Sequence, residues 1–263
     1  MKIDGKALAD GIFTDLTARV AALKEQGIVP TLAVILVGDN SDSLAYIRQK
    51  QKATERIGGR FIFEHLPATT TQKELTARVQ MYNDDSSVHG LIVQRPIINS
   101  LTATVSSGKD IDGFEKNSPF DVPITMAIFA LLQNIHVDYR QKNIVIVGRG
   151  ETAGKPIAEA FAKQQCAMSV LYSTTPNPKG IMQTADILIS CVGKEHVITS
   201  DSVKPGAILL SVGLSRGEDD KLHGDYDEND IENIASFYTP TPGGVGPVNI
   251  ASLMQNLVKA AQK

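Results

Sequence analysis

The sequence predicts an α/β protein of two lobes with a cleft between them, and three observations carry that prediction. Short, wholly apolar runs rich in Val, Ile and Leu recur along the chain, the pattern of parallel strands covered on both faces. Amphipathic helical stretches alternate with those runs almost from end to end, which gives βαβ units and sheets with helices on their faces. Midway, a glycine-rich turn joins an apolar strand to a helix and begins a second unit of the same kind.

Taken in order, Lys6 to Lys24 reads as a helix, with Leu8, Ile12, Leu16, Val20 and Leu23 at three- and four-residue spacing. "TLAVILVG" (31–38) is a strand, "SDSLAYIRQKQKATERIG" (41–58) a helix, and "RFIFEHLP" a second strand. A helix around Lys73 to Tyr82 and the strand "HGLIVQRP" complete βαβαβ. "ITMAIFALLQNI" is a long apolar helix, and a lobe boundary falls near Val137 to Gln141. Beyond it come strand "IVIVG", helix "KPIAEAFAKQQ", and strands "AMSVLY", "ADILISCVG" and "AILLSVG". After "FYTPTPGGVGP", a helix from about Asn249 to Ala261 closes the chain. No solenoid repeat or low-complexity linker interrupts the order.

With 263 residues the chain can form one large domain or two modest ones. Its apolar share of 42% and charged share of 21% are those of an ordinary globular protein. A net charge of −3 without any basic block gives no reason to expect nucleic acid or an acidic membrane surface as partner. Cys166 and Cys191 lie in apolar contexts and read as buried, reduced thiols. The five histidines fall singly, so no metal site is expected. Acidic residues in "MKIDGKALADGIFTDL" break any signal-peptide core, no run is long enough for a membrane span, and a cytoplasmic location is expected.

The candidate chemistry starts in helix 41–58. Residues four apart share a helix face, so Tyr46, Lys50, Ala53 and Ile57 fall on one stripe, which is expected to be buried. Two readings of Lys50 stand: a reactive amine, or a snorkelling side chain whose stem alone is buried. Gln94 ends the third strand at its carboxyl end, where open α/β sheets bind ligands, or is simply a satisfied strand-end amide. "KDIDGF" sets Asp110 and Asp112 before a glycine, as a turn or a carboxylate site. "TPTPGGVGP" packs Pro and Gly where backbone is rigid and passes close to a ligand or ends a strand.

In "GRGETAGKP" (148–156), Gly148, Gly150 and Ala153 fit the dinucleotide pattern G-x-G-x-x-G/A, which sets a pyrophosphate on a helix N-terminus. Pro156, standing where a Walker loop carries Ser or Thr, excludes that alternative. An NAD site wants an acid after the next strand, but "VLYSTTPNPK" has none. Ser173 and Arg149 can instead engage a phosphate, which favours NADP over NAD; a solvated polar loop with a surface arginine is the other reading.

Together these segments resemble the bifunctional methylenetetrahydrofolate dehydrogenase/methenyltetrahydrofolate cyclohydrolase family over nearly the whole chain. "VGDNSDSLAYIRQKQK", "GLIVQRPI", "KDIDGF", "IVGRGETAGKP", "ADILISCVG", "VKPGAILLSVG", "HGDYD" and "TPTPGGVGP" carry the resemblance, in that order. It implies a folate-binding lobe of 1–138 plus 247–263 and a Rossmann-type NADP-binding lobe of 139–246. It further implies oxidation of 5,10-methylenetetrahydrofolate, hydrolysis of the methenyl product, a place in one-carbon metabolism upstream of purine biosynthesis, and a homodimer. Carried over residue by residue, Tyr46 packs on the folate, Lys50 is the catalytic lysine assisted by Gln94, and Asp112 anchors the pterin. Pro242, Gly243 and Gly244 line the folate site. Gly148, Arg149, Gly150, Gly154, Ser173, Val192 and Gly193 hold the NADP. Lys52 matches a recurring basic position without an assigned role.

The chain departs from that family's pattern at "PITMAI" (123–128), Gly150, Ala153, Tyr172, Ser211 and Val248-Asn249. Most of these lie around the dinucleotide. A cyclohydrolase that has lost the dehydrogenase step, and a folate or nucleotide binder without turnover, are therefore the competing readings. Retention of Lys50, Gln94 and Asp112 argues against the second.

Overall fold

The computed structural model describes residues 1–98 and 100–263. The chain forms two compact units, one of Asp10–Pro123 with Ile250–Lys263, the other of Met1–Ala9 with Ile124–Asn249. Helix α1 (Gly5–Glu25) buries Ala9, Phe13, Leu16, Val20 and Leu23, with Leu8 and Ile12 at the half-buried margin of that stripe.

The first unit holds β1 (Thr31–Val37), α2 (Ser41–Arg56), β2 (Arg60–Leu66), α3 (Gln72–Asp84) and β3 (Gly90–Val93). The strands pair in parallel in the order β2-β1-β3, with Leu32 opposite both Phe61 and Gly90. All seven residues of β1 are buried, which explains its unbroken apolar run, while β2 at the edge alternates with solvent. Ile35, Leu75, Val79, Tyr82 and Leu91 centre the core on one face. Asn40 caps α2 by accepting from Ser43 N, and Thr71 with Glu74 forms a capping box on α3.

The second unit begins with α4 (Pro123–Asn134) and contains β4 (Ile144–Val147), α5 (Gly154–Lys163), β5 (Met168–Leu171), α6 (Pro178–Met182), β6 (Ile187–Ser190) and β7 (Ile208–Ser211). A hairpin of β8 (Ser215–Arg216) and β9 (Leu222–His223), then α7 (Glu228–Ile231) and β10 (Phe237–Tyr238), follow. The parallel sheet has the order β10-β7-β6-β4-β5. Phe129 and Tyr139 pack on Phe161 of α5, with ring centroids 5.0 and 5.6 Å away.

The N-terminal residues belong with this sheet because Ile3 N donates to Tyr238 O and Tyr238 N donates to Met1 O. The compact units therefore divide near Pro123, where the sequence reading set its boundary near Val137 to Gln141. The last helix, α8 (Val245–Ala261), starts a turn before the expected Asn249. Pro247 fits its first turn, where an N–H has no intrahelical partner to lose. Among the described residues, no helix is long and apolar enough to cross a membrane.

Candidate functional site

In the three-stranded sheet, β1 is central and the chain passes from β2 on one side to β3 on the other. The carboxyl ends of β1 and β3 are thus a topological switch point, the ligand position of open α/β sheets. Gln94 stands there, its backbone N donating to Ile35 O over 2.8 Å. Its side-chain Nε2 donates to Arg95 O at 2.9 Å, which turns Oε1 toward α2. That oxygen accepts from Lys50 Nζ at 3.0 Å.

Lys50 is only 9% exposed and lies among Ile47, Ala53 and Thr54 on the buried stripe of α2. An amine at that depth without an acceptor would cost about 1–3 kcal/mol, so Gln94 is what makes the position tenable.

Tyr46 is not on the buried stripe as expected: it is 43% exposed. Residues four apart differ by about 40° around a helix, so Tyr46 flanks the stripe that Lys50 occupies, one turn nearer the helix start. Partial burial, then the charge of Asp42, raises its phenol above the ordinary value, so the ring is neutral at working pH. An exposed, uncharged aromatic face beside a lysine suits a stacked ligand better than a buried one would.

The two carboxylates of "KDIDGF" separate by role. Asp110 is buried and accepts from Glu115 N at 2.8 Å, while its main-chain oxygen accepts from Gly113 N and Ser118 Oγ. Burial raises its carboxyl above the usual range, against the opposing pull of the Glu115 N–H and the Ser118 hydroxyl. Gly113, at φ +73°, makes the turn that leaves Asp112 half-buried at its corner. The loop is pinned from α8: buried Asn256 donates from Nδ2 to Ile111 O and Asp121 O, each at 2.8 Å.

The five-stranded sheet reverses between β4 and β6, so its crevice opens at Gly148 and at Cys191–Gly193. Gly148 has φ +102°, and a Cβ there would stand 2.8 Å from Cys191 O. A Cβ on Gly154 would stand 2.0 Å from Gly148 O. The close packing of helix on turn therefore falls to Gly154, where the sequence pattern had placed Ala153 as its third member. Around Gly150 a Cβ would meet nothing within 4 Å, so that side of the turn is open.

Ala153, the N-cap of α5, supplies no side-chain cap, unlike the N-caps of α2 and α3, and Gly150 O accepts from Lys155 N at 3.0 Å. These features fit a dinucleotide: an open glycine turn leading into a helix start without a side-chain cap. At the end of β5, Tyr172 and Ser173 are exposed, and the Arg149 guanidinium lies 4.2 Å from the Tyr172 ring centroid. Arg149 is thus held against the residue that precedes Ser173 by a contact of about 0.5–1 kcal/mol.

After β6 the backbone N–H groups of Val192, Gly193 and Lys194 all donate to the carboxylate of Asp225. Cys191 is half-buried, not buried as expected, and its thiol is pushed up to about 12 by burial and by Asp225. It is an inert thiol, as is buried Cys166, raised by burial. In the same unit Pro242, Gly243 and Gly244 form a tight turn, Gly243 at φ +107°. A Cβ on Gly5 would stand 1.9 Å from Gly244 O, so that turn packs hard against the start of α1.

A family model described as "Tetrahydrofolate dehydrogenase/cyclohydrolase, catalytic domain" matches residues 3–112. Its companion, "Tetrahydrofolate dehydrogenase/cyclohydrolase, NAD(P)-binding domain", matches residues 123–263. The chain belongs to the tetrahydrofolate dehydrogenase/cyclohydrolase family. It is 38% identical to the "Bifunctional protein FolD" of Acidovorax sp. (strain JS42), with 99% of this chain and 98% of that one covered. The bifunctional FolD methylenetetrahydrofolate dehydrogenase/cyclohydrolase of Campylobacter jejuni superposes with a TM-score of 0.95 at 35% identity, covering 100% of this chain and 98% of the other. The Trypanosoma brucei enzyme, solved with NADP cofactor and an inhibitor, gives 0.93 at 29% identity, covering 100% and 97%.

As a tetrahydrofolate dehydrogenase/cyclohydrolase family member, the chain carries a catalytic and an NAD(P)-binding domain on two parallel sheets. Sequence reasoning passed over Asn256 and Asp225. The second was already in view within "HGDYD", a segment quoted without a role, while nothing local marks the first.

Proposed function

We infer that this chain oxidises 5,10-methylenetetrahydrofolate with NADP and hydrolyses the resulting 5,10-methenyltetrahydrofolate to 10-formyltetrahydrofolate. The observation that carries this reading is the Lys50–Gln94 hydrogen bond at the switch point of a family member's catalytic domain. Lys50 exchanges protons with water and the folate ring nitrogen, and Gln94 holds the amine by its amide oxygen without supplying a countercharge. Tyr46 is the stacking platform, and Asp112 accepts from the pterin's amino edge, so the ring is fixed before reaction. Pro242, Gly243 and Gly244 are further folate-binding residues in this reading.

NADP, when bound, accepts a hydride from the methylene carbon. Gly148, Gly150 and Gly154 admit its pyrophosphate to the start of α5, Arg149 and Ser173 take its adenosine phosphate, and Val192 and Gly193 border it. The folate role, expected of 1–138 with 247–263, is assigned to the three-stranded unit and to Pro242, Gly243 and Gly244, and the dinucleotide role, expected of 139–246, to the five-stranded unit. A cytoplasmic homodimer supplying one-carbon units to purine biosynthesis completes the reading.

The test is direct. Purified protein is given 5,10-methylenetetrahydrofolate with NADP or NAD while nicotinamide reduction is followed, and methenyl hydrolysis is followed separately. Reduction of NADP in preference to NAD, together with hydrolysis, is expected. Reduction with neither nucleotide sinks the dehydrogenase half and leaves a cyclohydrolase. Better turnover with NAD sinks the roles of Arg149 and Ser173.

A further inference from the structure

The loop after β6 is held by a single buried carboxylate. Asp225 is 0% exposed, and its Oδ1 accepts from Gly193 N at 2.7 Å and Lys194 N at 2.9 Å. Its Oδ2 accepts from Val192 N at 3.0 Å and from the Ser190 hydroxyl at 2.5 Å. Its own main chain is fixed as well: Asp225 N donates to Ser211 Oγ, and Asp225 O accepts from Ile198 N.

Three successive backbone N–H groups converging on one point form the kind of concavity that elsewhere binds a phosphate. Here the protein fills it with its own side chain. The loop therefore turns its amides inward, while the Val192 side chain is exposed. Immediately before those amides Cys191 O meets the glycine turn, 2.8 Å from where a Cβ on Gly148 would stand.

We propose that Asp225 is a positioning residue for the dinucleotide. It never touches the cofactor; by holding the 192–194 amides it fixes the width of the crevice between the β4 and β6 turns. This rests on the dinucleotide role assigned above to the five-stranded unit. Its partner Ser190 has the same function to a lesser degree. The effect is expected at the dinucleotide and not at hydrolysis, because the reacting groups Lys50, Gln94 and Asp112 belong to the other compact unit. Of the residues assigned to the folate, Pro242, Gly243 and Gly244 share the unit of Asp225.

The experiment compares wild type, Asp225→Asn and Ser190→Ala. Asn keeps the shape but replaces one acceptor oxygen with a donor, so two of the four hydrogen bonds are lost or reversed. NADP affinity is read by calorimetric titration and by its KM, and methenyl hydrolysis is read without nucleotide. In Asp225→Asn, both Kd and KM for NADP should rise at least about tenfold while hydrolysis stays within about twofold of wild type. Ser190→Ala should weaken NADP by a smaller factor with the same sparing of hydrolysis. Unchanged NADP affinity in a folded Asp225→Asn overturns the proposal, and so does a parallel fall of both activities with a lowered Tm. Should Asp225→Asn not fold, unchanged affinity in Ser190→Ala overturns it instead. Failure of the broader reading looks different: wild type itself would then neither reduce nor bind NADP.

Discussion

After β1 the chain turns through Gly38 and enters α2 under the side chain of Asn40, which closes the first turn on Ser43 N. After β4 it turns through Gly148 and enters α5 with no side chain over the first turn. Both strands have a parallel neighbour on each side, and both helices are the next element in the chain. One helix start is satisfied by a side chain, and Lys50, proposed above as the reactive amine, sits further along on the buried stripe. The other has no side-chain cap and is closed by the glycine turn itself, Gly150 O accepting from Lys155 N at 3.0 Å. The same strand–helix unit thus caps its first turn in two ways, by the Asn40 side chain in α2 and by the main-chain oxygen of Gly150 in α5.

The largest test of that contrast is Lys50→Met. Methenyl hydrolysis should fall by about a thousandfold, as expected for loss of a general acid–base group, with NADP binding by calorimetry unchanged. A smaller loss than tenfold would move the chemistry away from α2. Arg149→Ala attacks the other helix: KM for NADP should rise about tenfold, KM for NAD should not move, and hydrolysis should persist. Asn40→Ala asks whether the cap is merely structural. It should cost about 1 kcal/mol in denaturant unfolding and leave both rates near wild type.

The smallest effect is expected at Asp110→Asn. Its folded-state pKa lies above the unfolded value, so the stability it provides is complete below the ordinary aspartate range and is lost as pH rises through the raised value. Asparagine does not titrate. The variant should therefore gain on wild type in chemical denaturation as pH increases across that window, and a gain on acidification would reverse the assignment.

Much of this was legible in the sequence because the signals are local. Apolar runs located every strand of both main sheets except the two-residue β10, and periodicity placed Lys50 on the buried stripe. Periodicity gives a direction around a helix, not what covers it, so the exposure of Tyr46 was out of reach. The glycine pattern located the dinucleotide turn but assigned close packing to Ala153, since the 2.0 Å approach at Gly154 depends on how the helix leaves the turn. Asp225 and Asn256 act across 31–33 and 135–145 residues of chain, and no window read along the sequence joins such partners.

The Asn256 bonds also set a schedule for the growing chain. Ile111 leaves the ribosome 145 residues before the side chain that will hold its carbonyl. At about 5–20 residues per second, that interval is on the order of ten seconds. Until then the loop of Asp112 is held by its internal turn and by the Lys109 amine on Tyr82 O and Asp85 O, so its tie to α8 is among the last contacts of a nascent molecule to form, although the loop is encoded in the first half.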